Sequence, residues 1–226
     1  MTIRYSTVGI VGTGAMGRGI AQIAAQAGST VQLFDLNPEA CRQAHAAIAA
    51  QWDKLQDKGR IDAATADAYK TRLQTAASLG DLHNCDLVVE AAVERLDIKQ
   101  SLFAQLEDIV RPDAVLVTNT SSLSVTAIAA GLKRPAQFAG YHFFNPVPLM
   151  KVVEVIAGLK TDAAVCAGLT EYARQMGHTP VQAQDTPGFI VNHAGRAYGT
   201  EALRIVSEGV TDFATIDRIL KDQVGF

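Results

Sequence analysis

The sequence predicts an α/β fold: a doubly wound, mostly parallel sheet, followed by the first helices of an incomplete all-α domain. Short apolar runs alternate with longer stretches of helical composition, the pattern of strands joined by crossover helices. The first run, Thr7–Val11, leads straight into Gly12-Thr13-Gly14-Ala15-Met16-Gly17. Polar residues follow two later runs, where an open parallel sheet presents its ligand edge.

The elements follow in order. After the glycine turn, Ile20-Ala21-Gln22-Ile23-Ala24 has helical composition, so the G-x-G-x-x-G lies in a strand–turn–helix context. In such a Rossmann-type unit Gly12 permits the tight turn, Gly14 lets a pyrophosphate approach the backbone and Gly17 lets helix and strand pack closely. Ala15 and Met16 open the helix whose N-terminus faces the phosphates. The next strand, Thr30–Phe34, ends at Asp35, the position expected for the acid that binds a ribose. Leu36, Asn37, Pro38 and Glu39 come next, with no cation to receive a 2′-phosphate, so the expected cofactor is NAD and not NADP.

Asn37-Pro38-Glu39 provides an N-cap, a proline at the first helical position and an acid in the first turn. That helix is expected to reach Lys58, where Gly59 stops it, and a second helix covers Ile61–Leu73 from near Asp62. Together they form a long helical excursion. The sheet resumes with Leu87–Glu90; Arg95–Val110 is helical; Val115–Val117, Ala136–Tyr141 and Val152–Ile156 are strands. A helix over Asp162–Met176 leads to a last strand at Thr179–Val181. Residues 1–185 then form the dinucleotide-binding domain, and 186–226 the beginning of a helical one. At that boundary Thr186 can cap, and Pro187 can open, a helix from about Phe189 to Ser207; another covers Asp212–Asp222.

Composition narrows the function. A chain of 226 residues with 48% hydrophobic and 19% charged residues has the make-up of a globular protein with a sizeable core. A net charge of −3 gives no basic excess and argues against nucleic acid as the main partner. Cys41, Cys85 and Cys166 are odd in number, widely spaced and without C-x-x-C, so neither a disulfide framework nor a metal site is expected. No run reaches the ~18 apolar residues of a membrane span. Glycines and Arg18 interrupt the early apolar stretch, which speaks against a targeting peptide and leaves the cytoplasm as the default.

The richest segment is 140–154, Gly-Tyr-His-Phe-Phe-Asn-Pro-Val-Pro-Leu-Met-Lys-Val-Val-Glu. His142 closes an apolar run, Pro146 and Pro148 reverse the chain, and Glu154 sits among Val152, Val153, Val155 and Ile156. A carboxylate there is costly without a partner, and the turn brings it back beside the imidazole. A paired His and Glu make a general base with its orienting group, as oxidation of a hydroxyl requires. Asn119-Thr120-Ser121-Ser122 follows another strand toward the same edge; Ser122 or Ser124 also suits a helix cap.

With Gly12–Ala21, Val88–Lys99, Asn119–Ser122, Tyr141–Glu154 and Asp185–Asn192 taken together, the chain resembles the L-3-hydroxyacyl-CoA dehydrogenases, including the 3-hydroxybutyryl-CoA type. The resemblance runs from about residue 7 to the last residue. It implies His142 as catalytic base, Glu154 as its partner, and Ser121 and Asn192 at the reacting oxygen or thioester of an acyl-CoA substrate. Glu94, Lys99, Asn119 and Asn145 match positions lining the nicotinamide side of NAD, and Lys58 matches a lysine that contacts coenzyme A. Lys54, Lys58 and Arg60 cluster at the end of one helix, although a solvated face suits Lys54 and Arg60 better. Gln51 stands where some relatives carry a serine near coenzyme A.

The resemblance also implies a longer helical domain, of roughly a hundred residues, that closes the cleft and makes a dimer interface. The expectation is therefore that 186–226 is only its start, and that the apolar helix over 189–207 associates with another copy of the chain. Two other readings stay open: a non-catalytic, crystallin-like NAD binder, and a sugar-acid 3-dehydrogenase of the same family.

Overall fold

The computed structural model describes residues 3–225. Strand β1 (Thr7–Val11), helix α1 (Ala15–Ala27) and strand β2 (Thr30–Phe34) form the first unit. The excursion follows as α2 (Pro38–Asp57) and α3 (Ala63–Arg72), then β3 (Leu73–Thr75), β4 (Leu87–Glu90) and α4 (Leu96–Ile109). Next come β5 (Val115–Thr118), α5 (Val125–Ala129), β6 (Phe138–Phe143), β7 (Val152–Ala157), α6 (Ala163–Gln175) and β8 (Thr179–Gln184). Helices α7 (Val191–Ser207) and α8 (Phe213–Ile219) follow, α8 running on into a π-helical turn.

The eight strands form one sheet in the order β3-β2-β1-β4-β5-β6-β7-β8. Every neighbouring pair is parallel except β6 and β7, which are antiparallel. Chain direction reverses there because the intervening loop carries Pro146 and Pro148 and closes with Leu149 and Met150 amides donating to the Pro146 carbonyl. The order breaks between β1 and β4, the topological switch point at which open α/β sheets bind ligands.

Local signals fix the helices. Asn37 Oδ1 accepts from the Glu39 and Ala40 amides at the start of α2, and Gly59, at φ 63°, ends it in the left-handed conformation that glycine tolerates. Asp62 and Asp162 cap α3 and α6 in the same way. One face of the sheet packs Val8, Ile10 and Leu33 against α1, α2 and α6, and Trp52 of α2 is fully buried there. The other packs Val88, Leu116 and Phe138 against Phe103 and Leu106 of α4.

Several boundaries differ from the sequence expectation. Leu73, expected to end a helix, opens an edge strand of three residues, because its side chain is buried beside β2. Residues Pro135–Gln137 form a 3₁₀ turn, so β6 starts at Phe138 and His142 lies inside the strand, not after it. The second helical segment begins later than expected. Gly188 at φ 77° and Phe189 at φ 48° are left-handed, which a right-handed helix excludes, so 187–190 is a turn and α7 starts at Val191.

No residue of α7 or α8 is buried. The three cysteines are free, and burial pushes the Cys85 thiol up to about 12. Among the described residues no helix is long and apolar enough to cross a membrane.

Candidate active site

Three cavities adjoin around the glycine loop, the first two sharing Ala91 and Ala92 and the second and third sharing Asn145. The first, about 790 Å³, is lined by Gly12, Thr13, Gly14, Asp35 and Leu36 on one side and by Asp97, Ile98 and Ser101 on the other. Its floor is a backbone cradle. Gly12 has φ 95°, and a Cβ there would lie 2.6 Å from the Ala91 carbonyl oxygen; one on Gly17 would lie 1.9 Å from the Gly12 oxygen. A Cβ on Gly14 would meet nothing within 4 Å, so the loop is closed on its packing side and open toward the cavity. Asp35 faces this space while its Oδ2 accepts from the Thr13 amide and hydroxyl at 2.8 Å and its Oδ1 from the Asn37 amide. Burial raises its pKa, but these donors outweigh it and hold the carboxyl below the usual range. An open cradle at a helix start, with an ionised acid one strand away, fits a dinucleotide.

The second cavity, about 400 Å³, gathers Met16, Glu94, Lys99, Asn119, Ser121, His142, Asn145 and Asn192. Register makes its key contact: His142 lies directly opposite Glu154 in the antiparallel pair, so both side chains emerge on one face. The Nδ1–H of His142 donates to Glu154 Oε2 at 2.7 Å, which fixes the tautomer and leaves Nε2 as the acceptor nitrogen. Phe144 and Phe189 flank the imidazole with ring centroids 4.5 and 5.7 Å away. The other carboxylate oxygen, Oε1, accepts from the Ile190 and Val191 amides at 2.8 and 2.9 Å. Glu154 therefore caps α7, and its charge is met by a ring N–H and a helix N-terminus.

On the same cavity, Glu94 organises the turn after β5. Its Oε1 accepts from the Thr120 hydroxyl at 2.5 Å, the Ser121 and Ser122 amides and the Ser122 hydroxyl. Burial pushes the Glu94 carboxyl up, but Thr120, the Lys99 ammonium and the serines hold it below the usual range. Asn119 Oδ1 accepts the Phe143 amide at 2.9 Å, tying this turn to β6. Of the serines considered as caps, Ser124 is one: its hydroxyl accepts from the Ala127 amide at the start of α5.

The third cavity, about 620 Å³, lies between α1, α2 and the 145–149 turn. Ala15 lines it, together with Arg18, Gln51 and Leu55. Lys58 is exposed at the end of α2, one turn beyond Leu55, and lines none of the three cavities.

Sequence reasoning missed two contributions. The Ile190 and Val191 amides carry no side-chain signal at all. Glu90 does: it closes the apolar Leu87–Val89 run, and the cost argument that singled out Glu154 applies to it equally. It is wholly buried, accepting the Lys99 ammonium at 2.5 Å, the Ala92 amide at 2.7 Å and the Thr118 hydroxyl at 2.6 Å.

Comparison with known proteins agrees with this geometry. Residues 7–186 match the model of the 3-hydroxyacyl-CoA dehydrogenase NAD-binding domain, and residues 188–226 that of the C-terminal domain of the same enzymes. The chain is 45% identical to 3-hydroxyadipyl-CoA dehydrogenase of Escherichia coli K12 over its whole length, which is 48% of that protein. It is 44% identical to a probable 3-hydroxybutyryl-CoA dehydrogenase of Deinococcus radiodurans, covering 94% of the chain and 76% of the relative. Its fold superposes on a crystal structure of 3-hydroxybutyryl-CoA dehydrogenase from E. coli K12 with a TM-score of 0.95 and 44% identity, over 100% of this chain and 48% of that one. The enzyme described as (S)-3-hydroxybutyryl-CoA dehydrogenase from Ralstonia eutropha gives 0.91 and 37%, over 97% and 77%. The chain thus spans about half the length of the first of these relatives and about three quarters of others. With the match at 7–186 alone taking in most of the chain, and the open glycine cradle lying within it, this protein belongs to the 3-hydroxyacyl-CoA dehydrogenase family and carries its NAD-binding domain.

Proposed function

We propose that the chain takes part in the NAD-dependent oxidation of an L-3-hydroxyacyl-CoA to the 3-ketoacyl-CoA. The observation that carries this reading is the buried His142–Glu154 pair on the same cavity as Ser121, Asn145 and Asn192. In this reading the free Nε2 of His142 takes the proton of the C3 hydroxyl. Glu154 holds the ring and stabilises the imidazolium that results, its own charge kept in place by the two α7 amides. Ser121 and Asn192 orient the hydroxyl or thioester oxygen. NAD, when bound, accepts the hydride from C3. Gly12, Gly14, Ala15, Met16, Gly17 and Asp35 cradle the dinucleotide, and Glu94, Lys99, Asn119 and Asn145 line its nicotinamide end. In the reverse direction the protonated imidazole returns its proton to the keto oxygen.

Lys58 and the cleft lined by Gln51 are assigned to the coenzyme A portion. The chain divides near residue 185 into the cofactor domain and a helical segment, and the exposed apolar positions Val191, Tyr198 and Leu203 of α7 are assigned to contact between copies of the chain. A cytoplasmic location completes the reading.

The test is a comparison of 3-hydroxybutyryl-CoA, longer 3-hydroxyacyl-CoA thioesters and free 3-hydroxy acids as NAD reductants, alongside NADH titration and solution mass. Thioester-dependent NADH formation is expected. Binding of NADH without turnover of any substrate favours the crystallin-like reading, and turnover of free sugar acids alone favours the third.

A further inference from the structure

The nicotinamide-side wall holds three ionisable side chains whose charges do not cancel. Lys99, 1% exposed, lies 2.5 Å from Glu90 and 3.4 Å from Glu94; Glu90 is wholly buried and Glu94 is 38% exposed. Two carboxylates thus face one ammonium. The ammonium is drawn back toward Glu90, beneath the surface of the cavity that Glu94 and Lys99 line. Thr118 and Ala92 fix the Glu90 carboxylate from two further directions, so this arrangement has little freedom to rearrange.

We infer that Glu90 is a positioning residue that keeps the lysine neutralised and leaves this wall with a net negative charge, which raises the affinity of the site for the oxidised cofactor and leaves that for the reduced one unchanged. The inference rests on the proposed reading, in which the nicotinamide sits against Glu94 and Lys99. An oxidised nicotinamide ring carries a positive charge and a reduced one carries none. A fixed charge beside the ring therefore acts on one redox form only, and it acts strongly where low-dielectric walls exclude water. Without the Glu90 charge, Lys99 and Glu94 would cancel and the wall would lose its attraction for the oxidised ring. Glu90 itself lines none of the three cavities; it works through Lys99.

The experiment is fluorescence titration of NADH, with NAD competing, on the whole chain. Glu90→Gln should weaken NAD binding by about three- to thirtyfold while leaving NADH within about twofold. The double variant Glu90→Gln/Lys99→Met has the wall charge of the unmutated protein, and it should bring the ratio of the two affinities back to within about twofold of the original. Loss of both affinities in proportion in Glu90→Gln overturns the inference, since a purely structural carboxylate would affect both forms alike. Should Glu90→Gln fail to fold by circular dichroism, Glu94→Gln makes the same charge change on a partly exposed side chain. An unmoved ratio there overturns the inference as well. An unmutated chain that binds neither form would instead overturn the functional reading, and the inference with it.

Discussion

The β4 corner and the β6–β7 corner each bury a glutamate completely, and they satisfy it by different means. At β4, Glu90 meets a full countercharge, a hydroxyl and an amide, all within 2.7 Å. At β6–β7, Glu154 meets a ring N–H and two amides of a helix start, with no fixed cation. The first arrangement is a locked ion pair. The second leaves room for a positive charge to appear on the ring during a reaction and be stabilised when it does. Burial alone does not tell the two carboxylates apart; the chemistry of their partners does.

The sharpest way to break this contrast is at the ring itself. His142→Ala should cut turnover by about 10²–10⁴ while leaving NADH affinity within a few-fold. Steady-state kinetics with 3-hydroxybutyryl-CoA, against the unmutated chain under the same conditions, checks it; near-normal turnover would remove the dyad assignment. Glu154→Gln should lower turnover by roughly 10–10³, since an orienting partner persists without its charge. Glu154→Ala should also leave the Ile190 and Val191 amides without an acceptor. Hydrogen exchange in the first turn of α7 should therefore rise in the alanine variant and much less in the glutamine one. Equal exchange in both would show that Glu154 does not hold that helix.

Asp35 extends the contrast to a carboxylate at the cavity surface. Asp35→Ala should weaken NAD by about tenfold and narrow discrimination against NADP, because an acceptor and a repulsive charge leave together. Competitive titration of the two dinucleotides would expose the error if the preference stayed unchanged. The smallest effect belongs to Asp185, which caps α5 through the Val125 and Thr126 amides and the Ser124 hydroxyl. Burial raises its pKa, but these donors outweigh it and hold the folded carboxyl below its unfolded value. Its contribution is thus fully present above about pH 4, the unfolded range, and fades as pH falls through the lower folded value. Asp185→Asn should lower the urea midpoint at pH 7 and flatten its decline below pH 4. A midpoint gap between the two proteins that widens on acidification would contradict the assignment.

Much of the sheet was legible because its strands are short apolar runs punctuated by glycine, proline and capping residues. The span Leu87–Glu90 coincides with the expectation, and Asn37 and Asp62 cap the helices they were expected to open. The His142–Glu154 contact was legible for a different reason: prolines between two apolar runs force a reversal, and a buried acid demands a partner. The start of α7 was not legible. Thr186-Pro187 has the composition of a helix opening, and only the positive φ of Gly188 and Phe189 reveals a turn. Side-chain cost could have exposed Glu90, but its partner Lys99 sits nine residues away on a helix, beyond any strand register.

The two amide bonds from α7 to Glu154 also define a mechanical joint. Amides at a helix start point along the helix axis, so withdrawal of α7 along that axis stretches both bonds directly. Rocking is different. The 17 residues of α7 reach about 25 Å from the joint at 1.5 Å per residue, so a tilt of about 5° swings the far end by about 2 Å while moving the first turn by tenths of an ångström. The imidazole is thus insulated from sideways motion of whatever packs on the distal half of α7, yet tied to any pull along it.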